Sequence, residues 1–140
     1  MRGQLPIKDL TASYGSSKVL HGLSLRVNPG QITALLGANG AGKTSTLRAI
    51  CGMLSRQGCI EVDGRRIEQL STEEIARLGV GQVPDGRGTF GALSVTENLQ
   101  LGAIRRSDKV SIGQDMDRIY DYFPILRQRS SQQAGTLSGG

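Results

Sequence analysis

The sequence predicts an α/β domain: a mostly parallel sheet, an antiparallel β portion near the N-terminus, and the start of a helical subdomain. Three observations carry this. An apolar run of strand length, Gln31 to Leu36, leads straight into a glycine-rich loop and then an amphipathic helix. Loosely alternating apolar residues precede it, and two capping-box patterns, Ser71-Thr72-Glu73-Glu74 and Ser94-Val95-Thr96-Glu97, open helices after it.

The opening stretch places Ile7, Leu10, Val19, Leu20, Leu23, Leu25 and Val27 on short strands closed by the turn Asn28-Pro29-Gly30. After the glycine loop, Leu47, Ile50, Cys51 and Leu54 fall at i, i+3, i+4 and i+7 and predict one buried helix face. Cys59 to Val62 reads as a strand ending at the hairpin pair Asp63-Gly64. The helix opened by Ser71 runs to Leu78, with Gly79 as its C-terminal stop. Val80 to Pro84 reads as a further strand, and Asp85 to Leu93 as a loop. The helix opened by Ser94 extends to about Ile104. Arg105 to Gly113 reads as loop, and a helix from about Gln114 carries Met116, Ile119, Tyr120 and Phe123 until Pro124 ends it. These elements divide the chain into a core over residues 1–93 and a helical part over 94–140.

Composition narrows the class. Of 140 residues, 37% are hydrophobic and 21% charged, a balance that excludes a disordered chain. No apolar run approaches the roughly 20 residues that cross a bilayer, and the N-terminus lacks a signal-peptide core, so a cytoplasmic location is expected. Cys51 and Cys59 lack metal spacing and read as buried thiols in a reduced compartment. The net charge of +5 comes from scattered Lys and Arg with no long basic run, which reads as a solvated surface rather than a nucleic-acid footprint.

Gly37-Ala38-Asn39-Gly40-Ala41-Gly42-Lys43-Thr44 fits the phosphate-cradling pattern GxxxxGK[ST] in full. Glycines let the backbone curl so that several N–H groups point at one anion. The helix beginning at Lys43 adds its positive end. Lys43 supplies a flexible charge for the β- and γ-phosphates, and the Thr44 hydroxyl is placed to ligate Mg²⁺. The bland alternative is a strand–helix turn with no ligand. The strand before the loop and the helix after it favour nucleotide binding.

The loop text through Ser45, together with the ending Leu137-Ser138-Gly139-Gly140, resembles the Walker A and signature motifs of ABC ATPases, over essentially the whole chain. The resemblance implies ATP and Mg²⁺ as cofactors and a dimer of ATP-binding subunits. In that dimer Leu137, Ser138, Gly139 and Gly140 contact the nucleotide of the opposite subunit. Tyr14 matches the position of an aromatic that stacks on adenine. Asp85 stands where the family usually has the Q-loop glutamine, a departure that leaves a possible Mg²⁺ ligand of another kind. Val83-Pro84-Asp85-Gly86-Arg87 is similar to a segment of importers of branched-chain amino acids and related amides. That implies transmembrane permease subunits as partners, a peripheral position on the inner membrane face, and no direct nucleic-acid contact. The loop from Asp85 to Leu93 is expected to dock on such a partner through Phe90 and Leu93, which are apolar among small or polar neighbours; the alternative is that both pack on the helical part. A soluble ABC ATPase acting on nucleic acid or ribosomes, or a non-functional remnant, is the alternative. The acid that would hold Mg²⁺ through water has no match in residues 1–140. Ile60-Glu61-Val62-Asp63 comes nearest and is interrupted by Glu61, so this stretch alone is expected not to hydrolyse ATP. His21 lies too early for the family's switch histidine and reads as a surface or packing residue.

Overall fold

The computed structural model describes residues 3–86, 88–104 and 106–137. Its contacts divide the chain into two compact units, residues 1–83 and 84–140.

In the first unit, β1 (Leu5–Tyr14) and β2 (Ser17–Val27) form a long antiparallel hairpin turning at Gly15, where φ is +55°. The strand β3 (Ser55–Val62) pairs antiparallel with the other side of β1, and β4 (Arg65–Arg66) pairs with β3, so the order is β2-β1-β3-β4. Asp63 and Gly64 both adopt positive φ, the twist a two-residue hairpin needs. The Asp63 carboxylate accepts the Gly3 and Gln4 amides at 2.6 and 2.9 Å, tying the start of β1 to that turn.

The helix α1 (Lys43–Ile50) lies on this sheet and buries Thr46, Ala49 and Ile50. With Ile7, Leu10, Leu20, Ile60, Ile67 and Ile75 they make the core. Leu47, expected on the buried face, is 46% exposed, because the face of α1 that meets the sheet runs through Ala49 and Ile50 instead. The helix α2 (Thr72–Arg77) has the full capping box at Ser71 and stops at Leu78, with Gly79 at φ +91°. Both cysteines are free; Cys51 is buried, and Cys59, expected buried, is half-exposed on β3.

Two expected strands do not form. Residues 31–36 and 80–84 have no regular structure, Ile32, Leu36 and Val83 stand exposed, and no parallel pair occurs among the described residues. The physical reason is the ladder: an extended apolar segment is held by neighbouring strands, and the antiparallel sheet here offers these segments none.

In the second unit, α3 (Val95–Gly102) also carries its full capping box, at Ser94. The helix α4 (Lys109–Tyr122) begins earlier than Gln114, after Asp108. Arg106 fixes that start by bonding Asp108 at 2.7 and 3.0 Å and Asp115 at 2.6 Å. Its guanidinium holds the Asp108 carboxyl down at about 2. Pro124, expected to end a helix, also opens α5 (Pro124–Gln128) from its first turn. Residues 88–93 are bonded to this unit. Asn98 accepts from the Phe90 amide at 2.9 Å and donates to the Phe90, Leu93 and Ser94 carbonyls. Gly135 lies so close to Gly91 that a Cβ there would stand 3.0 Å from the Gly91 carbonyl oxygen. No helix among the described residues is long and apolar enough to cross a membrane.

Candidate nucleotide-binding loop

The glycine loop takes its shape from residues that only glycine suits. Gly40 and Gly42 adopt φ of +86° and +89°, which L side chains rarely enter. The Ala41 amide donates to the Ala38 carbonyl at 3.1 Å and closes the turn. Gly42 is the N-cap of α1, and its carbonyl accepts both the Thr46 amide at 2.8 Å and the Thr46 hydroxyl at 2.9 Å. The amides of the first turn of a helix have no intrahelical acceptor, and no acidic residue stands in this one.

Lys43 curls back over its own loop and donates from Nζ to the carbonyls of Gly37 and Ala38 at 2.7 and 2.8 Å. Beside it lies a cavity of about 510 Å³. The loop supplies Asn39, Gly40, Gly42, Lys43, Thr44 and Ser45 to its wall, and β2 supplies Lys18, Val19 and His21. None of these lining residues is a carboxylate. Thr44 is exposed on the cavity wall, and a hydroxyl there suits Mg²⁺, which takes few protein ligands and completes its shell with phosphate and water oxygens. The described residues contain no cluster of three His, Cys, Asp or Glu able to hold a metal by themselves.

The expected site residues separate into groups. Asn39, Gly40, Gly42, Lys43, Thr44 and Ser45 line the cavity, while the Gly37 and Ala38 carbonyls hold Lys43 and Ala41 braces the turn. Tyr14 ends β1 and is 40% exposed. Hydrogen bonds with the Ser45 side chain and then with Arg48, which donates at 3.1 Å, hold its hydroxyl below the usual tyrosine pKa. Asp85 is exposed and belongs to the second unit. Leu137 follows the short 3₁₀ turn Ala134–Thr136, and Ser138, Gly139 and Gly140 lie outside the described residues. Sequence reasoning missed Lys18 and His21 as wall residues, since no loop motif includes them.

Residues 20–140 match the family described as ABC transporter. The chain is 38% identical over 137 residues to the high-affinity branched-chain amino acid transport ATP-binding protein BraG of Pseudomonas aeruginosa, covering 97% of this chain and 58% of that one. It is 37% identical over 140 residues to the lipopolysaccharide export system ATP-binding protein LptB of Escherichia coli, covering 97% and 57%. A solved structure, that of an ATP binding subunit of an ABC transporter, superposes with a TM-score of 0.83 at 27% identity over 97% of this chain and 56% of that one. The chain thus spans about half the length of the curated relatives it matches. With the loop geometry and a match over residues 20–140, this chain belongs to the ABC transporter family.

Proposed function

We propose that this chain binds Mg–ATP on the loop from Gly37 to Ser45, and that the whole protein hydrolyses ATP to power a membrane importer of branched-chain amino acids or related amides. The observation that carries the binding step is the loop itself: two left-handed glycines, the start of α1, and Lys43 folded over a cavity without carboxylates. Thr44 would hold the Mg²⁺, which neutralises phosphate charge when bound. Tyr14 would stack on adenine, with its hydroxyl held by α1, and Asp85 would approach the metal from the Q-loop position. Leu137, Ser138, Gly139 and Gly140 would reach the nucleotide of a second ATP-binding subunit.

The importer reading is favoured by the branched-chain amino acid relatives, which include a probable LivF protein of Archaeoglobus fulgidus at 33% identity. The 37% identity to a lipopolysaccharide export protein favours a second reading, in which the same ATPase drives an exporter. In either case the partners are permease subunits at the cytoplasmic membrane face. Phe90, 63% exposed on a loop braced by Asn98, is the anchor offered to them.

Titration with a fluorescent ATP analogue tests the binding step. Lys43→Ala is expected to weaken affinity about ten- to hundredfold, the range of a lost charge-assisted contact. Equal affinity in the variant overturns the assignment. Uptake of labelled leucine against lipopolysaccharide export, in cells lacking the protein, separates the two transport readings.

A further inference from the structure

Lys43 is an incomplete answer to the charge of a triphosphate. An ammonium has three donors, and two of Lys43's already reach the Gly37 and Ala38 carbonyls. The rest of the cavity's lining belongs to β2, which brings Lys18, Val19 and His21 to the same cavity as the loop's Lys43 and Thr44.

Simple strand alternation would send residues three apart to opposite faces. The register explains why these two share one. Ser13 pairs with Lys18 and Ala12 with Leu20, so one step along β1 matches two steps along β2, and Val19 is the extra residue of a bulge. Thr11 then pairs with His21. Thr11 and Ser13 lie two apart on β1 and share a face, so their partners His21 and Lys18 share one as well. A second irregularity follows at Gly22, which adopts φ +98° before Leu23 pairs with Leu10. Both side chains are exposed, and Gly42 packs against the Val19–Leu20 backbone and side chain between them.

We propose that Lys18 and His21 are further nucleotide-binding residues, donating to the phosphate chain of ATP from the strand side of the cavity. The proposal rests on nucleotide binding at the glycine loop and assigns a second, motif-independent half to that site. It requires that the pair act on the phosphates and not on the base.

The test uses the full-length protein and equilibrium titration with Mg–ATP, ADP and AMP. Lys18→Met and His21→Ala are each expected to weaken ATP binding about three- to fivefold, the upper part of the range for a partly solvated charged contact. AMP affinity is expected to change by less than twofold. Lys18→Met should also flatten the salt dependence of ATP affinity, which a purely structural role would leave unchanged. His21→Gln, which keeps a donor, should recover part of the loss. ATP affinity within twofold of wild type in Lys18→Met and His21→Ala, beside a weakened Lys43→Ala, overturns the proposal and leaves the loop assignment standing. Equal losses for ATP and AMP overturn it too. An unweakened Lys43→Ala overturns both readings together.

Discussion

Gly42 rests against Leu20: a Cβ on this loop glycine would stand 2.9 Å from Leu20 Cδ2. Leu20 is only 5% exposed, so it has little room to yield. The contact couples the nucleotide loop to the hydrophobic core through the central part of β2.

Gly42→Ala should therefore act on both stability and binding. The residue sits at φ +89° as the N-cap of α1, and the backbone alone makes alanine unfavourable. A loss of about 1–3 kcal/mol in unfolding free energy is expected, with weakened ATP binding. Denaturant melts and nucleotide titration on the same variant check it. Wild-type values in both would mean that Leu20 accommodates the methyl.

Gly58→Ala should be more damaging to the sheet. Its Cβ would stand 2.6 Å from the Asp9 carbonyl oxygen and 2.8 Å from that of Lys8, and backbone atoms cannot swing aside. The site faces the β1 irregularity where Asp9 adopts φ +50°. A destabilisation of at least about 2 kcal/mol is expected from calorimetry. The ATP affinity of whatever fraction remains folded should be unchanged.

Glu68 makes stability depend on acid. Its side chain is 6% exposed. Burial alone would raise its pKa, but its own amide, Arg66 and the Ile60 amide together outweigh that and lower it. Arg66 Nε donates to it at 2.6 Å. A carboxyl lowered in the folded state contributes stability above its ordinary range, near 4.3, and loses it as pH falls below. Urea melts from pH 7 to 3 should show this decline. Glu68→Gln should flatten it, at a cost of about 1–2 kcal/mol at neutral pH.

Asn98→Ala should loosen the loop from Gly88 to Leu93 without melting α3. The variant removes one acceptor and two donor contacts between α3 and the loop, and a third donor contact to the carbonyl of the Ser94 N-cap. Faster hydrogen exchange at the Phe90 amide is the expected sign, with a stability loss of about 1–3 kcal/mol. Unchanged exchange there would mean that the loop is braced from elsewhere.

Much of the architecture was legible in local chemistry. Both capping boxes, the Asp63-Gly64 hairpin, the Gly79 stop and the glycine loop were read from residues that interact within a few positions. Long-range requirements were less legible. Gln31 to Leu36 has the composition of a buried strand, yet only a partner can make it one, and sequence periodicity says nothing about partners. The wall residues Lys18 and His21 were hidden for a related reason. Their common face depends on the bulge at Val19, and alternation read along the chain puts them on opposite sides. The start of α4 escaped because Arg106 fixes it through Asp115, nine residues farther along.

The inner position of β1 sets an expected order of assembly. The β1–β2 hairpin closes through two residues, a microsecond event in small hairpins. The β3 partner arrives only when Ser55 reaches Ser13, across the segment that contains the glycine loop. Closing a stretch of that length is entropically slower than turning a hairpin. Refolding from denaturant should then restore sheet signal first and ATP-analogue fluorescence later, because the loop is held at both ends only after β3 has docked. Competence to bind would thus mark the completion of the first unit rather than its beginning.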